Sequence, residues 1–248
     1  MPAEAALAAA LRTAKRVAVL TGAGISAESG IPTFRDAMTG LWQDYRPEDL
    51  ATRAGFRRDP ELVWQWYRTR RLAIATAEPN PGHRAVAELG VRVESMVLIT
   101  QNVDGLHQRA GSREVIELHG NIGRIKCFLC DAPAELFDDT DRLPRCRACG
   151  GSLRPDVVWF GELLPAEGLA RAQEAARRAD VFLSVGTSNL VEPAASLPWL
   201  AARHGATVGV INTSHEGQRA GRRIHCLVGP AGTMLPALCR AVWPTALG

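Results

Sequence analysis

A short stretch near the N-terminus, residues 17–36, constrains the fold of this chain more than any other. The apolar residues at positions 17–20 are typical of a buried parallel strand. They run directly into residues 22–27, which read Gly-Ala-Gly-Ile-Ser-Ala. This G-x-G-x-x-A spacing is typical of a turn that binds the phosphates of a dinucleotide. The first glycine permits a tight turn, and the second lets a diphosphate approach the backbone.

The helix that should follow this turn is interrupted. In an ordinary dinucleotide-binding unit, a long helix leads to a second strand that ends in Asp or Glu about 20 residues further on. Here residues 30–32 (Gly-Ile-Pro) break the helix early, and residues 33–36 read Thr-Phe-Arg-Asp. We therefore expect this loop to bring an aromatic ring, a cation and a carboxylate to a bound dinucleotide.

Strands and helices alternate along most of the 248 residues, which predicts an α/β fold with a Rossmann-like, doubly wound parallel sheet. Ligands of such sheets bind beyond the carboxyl ends of the strands. After the first strand, the predicted strands cover residues 96–100, 115–118, 181–185, 207–211 and 224–228, and the predicted helices cover residues 166–178, 193–203 and 235–242.

Four of the six cysteines form two Cys-x-x-Cys pairs with fifteen residues between them, namely Cys127, Cys130, Cys146 and Cys149. This is the spacing of a four-thiolate zinc ribbon. The alternative, two disulfides, is disfavoured in a reducing cytosol. Four thiolates leave no open position for water, so the expected metal is structural. Cys226 and Cys239 are predicted to be small core residues.

A helical insertion precedes the zinc ribbon. No convincing strand is found between residues 35 and 79. Asp59 and Pro60 begin a predicted helix that runs to about Thr76, and a second covers residues 83–89 and ends at Gly90. We expect a Rossmann-like nucleotide-binding domain and a small domain. The first comprises residues 1–35, 92–120 and 154–248, and the second comprises the insertion at 36–91 and the ribbon at 121–153.

Polar residues follow several predicted strands, and the parallel sheet would bring them to one edge beside the glycine turn. His119 is the best candidate base, since an unperturbed histidine pKa near 6.5 suits proton transfer at neutral pH. His107 is a second candidate, whereas solvent or capping roles are expected for His83, His204, His215 and His225. The clusters after the strands are residues 101–104 (Gln-Asn-Val-Asp), 119–120 (His-Gly), 186–188 (Gly-Thr-Ser) and 212–214 (Asn-Thr-Ser).

Charge and hydropathy point to no membrane or nucleic-acid partner. A net charge of +3 is too small by itself to indicate either. Residues 5–11 predict an amphipathic helix packed on the domain, and no apolar run reaches the roughly 18 residues that span a bilayer. We expect a cytoplasmic protein. A zinc-ribbon nucleic-acid binder is an alternative, but no aromatic platform interleaves the basic residues, which we interpret as a solvated face: Arg124, Lys126, Arg142, Arg145 and Arg147.

Taken together, these motifs resemble the sirtuins, which are NAD-dependent protein-lysine deacylases. The resemblance covers nearly the whole chain, in order, and rests on residues 22–35, 100–107, 118–120 and 186–188 and the two cysteine pairs. It implies that NAD is a co-substrate, that one zinc ion is structural, and that acyl-lysine enters between the two domains. The acyl oxygen would attack C1′ of the nicotinamide ribose. The products would be nicotinamide, O-acyl-ADP-ribose and free lysine.

The resemblance also implies roles for individual residues. His119 would take a proton from a ribose hydroxyl, with Asn102 as a second catalytic residue at the nicotinamide ribose. Residues 157–162 resemble the segment that pairs with the substrate backbone as an added strand. The implied substrate residues are Tyr67, Arg70, Val157, Phe160, Gly161 and Glu162. The implied NAD-binding residues are Gly22, Ala23, Gly24, Ile25, Ala27, Glu28, Thr33, Phe34, Arg35, Trp42, Gln101, Asn102, Val103, Asp104, Gly186, Thr187, Ser188, Asn212, Thr213, Ser214 and Ala231.

One motif bears on the acyl group. Tyr67 and Arg70 stand at i and i+3 of a predicted helix, so they share a face. They resemble the Tyr-x-x-Arg of the desuccinylase branch, and Ala51 matches the small residue that leaves room for a long acyl chain. We expect removal of succinyl, malonyl and also acetyl groups. Taken alone, the motif favours a surface arginine on an Arg-rich helix, and the resemblance reverses that preference. A mono-ADP-ribosyltransferase using the same NAD site is the alternative activity.

Overall fold

The structure, a computed structural model, describes residues 3–32, 45–134, 140, 142–214, 221 and 223–244. Part of the loop that follows the glycine turn is outside these ranges. The expected cofactor residues Thr33, Phe34, Arg35 and Trp42 lie outside the described residues, as does His215.

The described residues form two sheets. The strands are β1 (Arg16–Thr21), β2 (Ser95–Thr100), β3 (Val115–Glu117), β4 (Gly120–Cys127), β5 (Leu153–Val157), β6 (Val181–Val185), β7 (Thr207–Asn212) and β8 (Ile224–Val228). Six of them make a parallel sheet in the order β3-β2-β1-β6-β7-β8, while β4 and β5 form an antiparallel pair. The strand order reverses at β1, so the glycine turn at its carboxyl end lies where doubly wound sheets bind ligands. The predicted fold class is confirmed.

Helices cover both faces of the large sheet. The helices are α1 (Ala3–Thr13), α2 (Ala23–Ser26), α3 (Pro47–Leu50), α4 (Arg53–Arg58), α5 (Pro60–Thr76), α6 (Pro81–Arg92), α7 (Leu106–Arg109), α8 (Ala166–Arg178), α9 (Leu197–Arg203) and α10 (Ala231–Val242). Within the described ranges, no helix has both the length and the apolar character needed to cross a bilayer.

Burial on both faces explains the unbroken apolar run of β1. Val17 and Val19 pack into a core with α1, α6 and α10, whereas Ala18 and Leu20 pack into a second core with α8 and α9. The predicted N-terminal helix is confirmed as α1, which buries Leu7 and Leu11. The expected boundary at residue 91 assigns α6 to the insertion. Its packing against the large sheet favours counting α6 with that sheet instead.

A third core lies in the small module. Phe56, Trp66 and Trp159 are almost completely buried there, and they bring α4 and α5 against the end of β5. The predicted start of α5 is confirmed, since the Asp59 side chain accepts from the backbone N–H of Leu62. The helices of the insertion therefore share one apolar core with β4, β5 and the residues that follow β5.

The second predicted helix of the insertion has the wrong limits. Instead of residues 83–89, α6 spans Pro81–Arg92 and passes through Gly90. The Asn80 side chain accepts two backbone N–H bonds in the first turn, which starts the helix early. Gly90 lies inside this helix, and its missing side chain leaves room for the Met96 methyl, which is 2.8 Å from where a Cβ would stand.

The predicted helix at 193–203 is confirmed as a 3₁₀ turn (Ala194–Ser196) that runs into α9, which ends at Arg203. One other helix limit is wrong. The last helix begins at Ala231 rather than residue 235, because a carboxylate distant in sequence caps its first turn. The N–H of Gly232 donates to Glu28 Oε2 at 2.6 Å. A cap of this kind leaves no local sequence signal.

A buried ion pair joins β5 to the residues that follow it. The Arg154 side chain is fully buried and donates to both Glu162 oxygens, at 2.6 and 2.9 Å. Burial alone would raise the pKa of Glu162. The hydrogen bonds from Arg154 and from the backbone N–H of Trp159 outweigh this effect and lower that pKa to about 2. The carboxylate therefore stays charged and fixes the conformation of residues 158–162.

We expect Glu162→Gln to lower the free energy of unfolding at pH 7 by about 3 kcal/mol, the value of a pKa shift of this size. The folded-state pKa of Glu162 lies below its usual value of 4.5, so its contribution is present above pH 4.5 and is lost as pH falls toward 2. The measurement is urea unfolding of parent and variant between pH 7 and pH 3. The difference in free energy of unfolding between parent and variant should become smaller as the pH falls.

The matched control is Glu174→Gln. Glu174 lies on α8 with most of its side chain in solvent, 4.0 Å from the exposed Arg178. Its replacement should leave unfolding almost unchanged. A pH-independent difference between Glu162→Gln and the parent would contradict the assigned role of the buried pair.

Candidate active site

The turn between β1 and α2 packs on the end of β6 without intervening side chains. The Gly24 N–H donates to the Gly186 carbonyl at 2.8 Å, and the Gly22 N–H donates to the Val185 carbonyl at 3.0 Å. A Cβ on Gly24 would lie 2.7 Å from Gly186 Cα, and one on Gly186 (φ +61°) would lie 2.3 Å from the nitrogen of Ile25. Both positions therefore require glycine.

Hydrogen bonds run along the carboxyl edge of the sheet. His119 Nδ1 lies 2.9 Å from the Gln101 carbonyl, and Gln101 Nε2 donates to Thr187 Oγ1 at 2.9 Å. The Thr187 carbonyl accepts from Asn212 Nδ2 at 3.1 Å. A Cβ on Gly22 would lie 2.8 Å from Thr187 Cβ. The missing side chain of Gly22 therefore leaves room for Gln101 to reach Thr187 across β1. The ends of β2, β3, β6 and β7 thus meet at the glycine turn.

The surroundings of His119 suit a neutral base. A carbonyl oxygen only accepts, so Nδ1 carries the ring proton toward Gln101 and Nε2 is left with a lone pair. Burial lowers the pKa of His119, partly offset by this hydrogen bond. The backbone is also fixed, because the Val158 N–H donates to the His119 carbonyl at 2.9 Å. His119 is therefore held in the basic form and in one tautomer.

A buried polar cluster lies behind the glycine turn. Asn102 Nδ2 donates to the Gly22 carbonyl and to Ser26 Oγ, both at 3.1 Å. Ser26 Oγ donates in turn to Asp104 Oδ2 at 2.8 Å, and Asp104 Oδ1 accepts from the Leu106 N–H at 2.9 Å. The two expected ribose-binding residues Asn102 and Asp104 are thus joined through Ser26, which the sequence reading did not single out. The only sequence signal for Ser26 was a small polar residue inside the glycine motif.

His107, the second candidate base, has a different environment from His119. Its Nε2 lies 2.9 Å from Thr21 Oγ1, whose own proton is donated to Thr100 Oγ1 at 2.9 Å. Nε2 is therefore the protonated nitrogen. Burial, together with the nearby His83, lowers the pKa of His107 to about 3. His107 thus acts as a neutral hydrogen-bond donor at the ends of β1 and β2, and neither threonine was anticipated from the sequence.

His83 has the capping role that the sequence predicts, but it is buried rather than exposed to solvent. Its Nδ1 accepts from the Asn80 N–H at 3.3 Å, and its Nε2 lies 3.4 Å from Ser26 Oγ. Asn80 Nδ2 also donates to the Ile25 carbonyl at 2.7 Å. The start of α6 is therefore hydrogen-bonded to the glycine turn.

The remaining expected cofactor residues surround this edge. Ala231 is the buried first residue of α10, and the Glu28 carboxylate caps that helix. The Val103 carbonyl accepts from the Ile122 N–H at 2.9 Å. Ala23 is partly buried and Ile25 is fully buried, whereas Ala27, Glu28, Ser188, Thr213 and Ser214 are exposed.

Tyr67 and Arg70 lie on one face of α5, as their spacing predicts. Tyr67 is buried between the Trp66 ring, whose centroid is 4.6 Å away edge-on, and the Trp159 ring, at 6.3 Å. Burial raises the pKa of Tyr67 to about 12, so its hydroxyl keeps its proton. Burial lowers the pKa of the Arg70 guanidinium, while the Tyr67 hydroxyl and the Asp104 carboxylate oppose this effect. The guanidinium carbon of Arg70 lies 4.8 Å from the centroid of the Trp66 ring.

Residues 157–162 continue from β5 along the small module. Val157 is buried, whereas Phe160 is 56% exposed and Gly161 has φ +83°. The Phe160 N–H donates to the carbonyl of the buried Ala51 at 2.9 Å. The Glu162 carboxylate is occupied by Arg154 and the Trp159 N–H. This segment is thus ordered by its own contacts and presents Phe160 to solvent.

The two cysteine pairs come together as the spacing predicts. The four Sγ atoms of Cys127, Cys130, Cys146 and Cys149 all lie within 4.8 Å of one another. The separations of 3.4, 3.5 and 3.9 Å are close to the roughly 3.8 Å of a tetrahedral zinc tetrathiolate and well beyond the roughly 2.05 Å of a disulfide. The donor set fits one structural Zn²⁺.

Comparisons with known proteins agree with this geometry. The model of a family described as the Sir2 family matches residues 22–193. The chain belongs to the Sir2 family. It is 51% identical over 243 residues to NAD-dependent protein deacylase 1 of Pseudomonas aeruginosa, covering 94% of this chain and 97% of that protein. It is 53% identical over 234 residues to the NAD-dependent protein deacylase of Ralstonia nicotianae, covering 92% of each.

A solved structure supports the same assignment. A Sir2 homologue in complex with NAD superposes with a TM-score of 0.87 and 44% sequence identity, covering 96% of this chain and 93% of that chain. The residues present here fit the same co-substrate. The glycine turn lies at the point where the strand order reverses, and backbone and amide groups surround it. The sirtuin resemblance of the sequence is confirmed.

We expect Cys130→Ser to lower bound zinc from about one ion per chain to nearly none, because three thiolates and a hydroxyl make a much weaker site. The melting temperature should fall with it, since Cys127 and Cys146 pack in an apolar cluster with Trp64 and Ile125. Elemental analysis and thermal unfolding measure the two effects. Cys226→Ser, outside the cluster, is the control and should keep its zinc. Full zinc content in Cys130→Ser would refute the assignment.

Proposed function

We propose that this Sir2-family protein is an NAD-dependent protein-lysine deacylase that removes succinyl and malonyl groups and also acts on acetyl-lysine. The observation that most supports the activity is the position of His119. Its Nδ1 is hydrogen-bonded to the Gln101 carbonyl, and the Gln101 side chain donates to Thr187 beside the glycine turn. A neutral base is thus held beside the nucleotide site.

Each residue of the site has a separate role in the proposed reaction. NAD, when bound, supplies the electrophilic C1′ of its nicotinamide ribose, which the acyl oxygen attacks. His119 Nε2 accepts a proton from a ribose hydroxyl, since Nδ1 is already committed to Gln101. Asn102 donates to the Gly22 carbonyl and to Ser26, which fixes the glycine turn that would hold the phosphates of NAD. The tetrathiolate metal has no open position and takes no part in the chemistry.

We expect His119→Ala to lower the turnover number by about 10²- to 10⁴-fold while NAD binding is kept, because a general base contributes about that much. In the parent enzyme, burial puts the pKa of His119 below 6.5, so kcat/KM should stay level down to about that pH and fall below it. Nicotinamide release and isothermal titration with NAD measure the two quantities.

The control for this variant is His204→Ala. His204 is exposed and lies at the end of α9, away from the site, so its loss should change neither rate nor pH profile. Full turnover in His119→Ala would contradict the assignment of the base. A kcat/KM of the parent enzyme that already falls above pH 6.5 as the pH is lowered would contradict this assignment as well.

The proposed acyl preference rests on Tyr67 and Arg70. A succinyl or malonyl group ends in a carboxylate, which a planar guanidinium can bind through two N–H donors. The Tyr67 hydroxyl keeps its proton and can donate beside it. The Asp104 carboxylate of the buried polar cluster favours the charged form of Arg70. We expect an acyl chain that reaches toward Arg70 to have its amide end near the NAD site.

We expect Arg70→Met to lower kcat/KM for a succinyl-lysine peptide by about 10- to 100-fold, the value of lost charge-assisted hydrogen bonds. The same peptide carrying acetyl-lysine should be affected much less, because an acetyl group has no terminal carboxylate. Mass spectrometry of matched peptides with NAD measures both rates. Arg68→Met is the control, since residues two apart point to opposite sides of a helix. Equal losses on both peptides would contradict the acyl preference.

We expect the substrates to be acyl-lysine side chains of proteins, met in the cytoplasm, with no nucleic-acid or membrane partner. Two basic residues of the ribbon form ion pairs with carboxylates of this chain, which makes them less available to nucleic-acid phosphates. Arg124 contacts Glu117 and Asp156, and Lys126 lies 3.6 Å from Asp131. Transfer of label from NAD onto a protein without consumption of acyl-lysine would instead indicate a mono-ADP-ribosyltransferase.

A further inference from the structure

Trp159, within residues 157–162, joins this segment to Tyr67 on α5. Its side chain is almost fully buried, and its indole Nε1–H donates to the Tyr67 hydroxyl oxygen at 2.9 Å. An indole N–H can only donate, so the tyrosine oxygen is the acceptor in this bond. The hydroxyl proton of Tyr67 must then point away from Trp159.

The indole ring of Trp159 is itself held from several directions. The Arg154 guanidinium carbon lies 3.3 Å from the ring centroid, and the ring of Phe56 packs at 5.3 Å. The backbone N–H of Trp159 donates to Glu162 at 2.9 Å, and Glu162 is bound by both Arg154 and Arg53. The donor of the hydrogen bond to Tyr67 is therefore fixed in position and direction.

The phenol of Tyr67 has little freedom apart from the rotation of its hydroxyl. Trp66 packs edge-on against it, and α5 fixes its backbone. Arg70 follows one helical turn later on the same face. The orientation of one O–H bond thus decides whether Tyr67 donates toward the space that Arg70 also faces.

We propose that Trp159 is a positioning residue for acyl selectivity. By occupying an acceptor site on the Tyr67 oxygen, its indole N–H directs the Tyr67 proton toward the terminal carboxylate of a dicarboxylic acyl group. Trp159 does not touch that carboxylate itself. The inference rests on the proposed function, because it requires an acyl carboxylate to be bound between Tyr67 and Arg70.

The test is Trp159→Phe, which keeps an aromatic ring beneath Arg154 and removes the N–H. The expected result is a loss of about fivefold in kcat/KM for the succinyl-lysine peptide, mainly through KM, as one directed hydrogen bond would give. The acetyl-lysine peptide should change by less than about twofold, since it offers no carboxylate to Tyr67. Its turnover also shows that the variant is folded.

A double-mutant cycle separates positioning from packing. In a Tyr67→Phe background no hydroxyl remains to be directed, so adding Trp159→Phe should cost nothing further on the succinyl peptide. Incorporation of benzothienylalanine at position 159 is the second variant. It keeps the bicyclic ring, replaces the N–H by sulfur, and should reproduce the loss of succinyl activity.

The outcomes distinguish the two proposals. If the parent enzyme removes succinyl groups and neither replacement at position 159 changes the ratio of its kcat/KM on the succinyl peptide to that on the acetyl peptide, the role of Trp159 is overturned. The acyl preference then still stands. Additive losses in the double mutant, or equal losses on both peptides, overturn the role of Trp159 as well. A parent enzyme that processes acetyl-lysine but not succinyl-lysine overturns the acyl preference and the positioning role together.

Discussion

The backbone contact between the glycine turn and the end of β6 is the constraint on which the active site depends. Gly24 and Gly186 approach so closely that a Cβ on either would overlap the other segment. The absence of a side chain at Gly22 lets Gln101 cross over β1 to Thr187. Gln101 in turn holds His119. The position of the His119 ring thus follows from the absence of side chains at three glycines.

Local patterns in the sequence predicted most of the fold. The apolar run of β1 and the cap at Asp59 mark their elements through interactions within a few residues, and β6 and α8 were located to the residue. The errors occurred where a distant group decides the boundary. Glu28 starts α10 from two hundred residues away, and Met96 fills the space beside Gly90. Sequence alone does not reveal such long-range contacts.

In the candidate site, too, sequence spacing located some residues, whereas others are recognised only from contacts between distant segments. Spacing sufficed for the four thiolates and for the residues at the strand ends, because parallel strands bring their carboxyl ends together. Ser26, Thr21 and the burial of His83 were not anticipated. Each of these is a common polar residue that becomes significant only when two separate segments enclose it. Family resemblance supplied the chemistry, and the geometry showed which nitrogen of His119 is available for it.

The antiparallel pair of β4 and β5 has a consequence for how the molecule can vary. At one end, Gly120 lies opposite Val157, so the strand that leaves His119 and the strand that enters residues 157–162 are in direct register. At the other end, Cys127 lies opposite Leu153 beside the metal ligands. Residues added at the cysteine end of this ladder are therefore separated from Gly120 and Val157 by the whole length of the two strands.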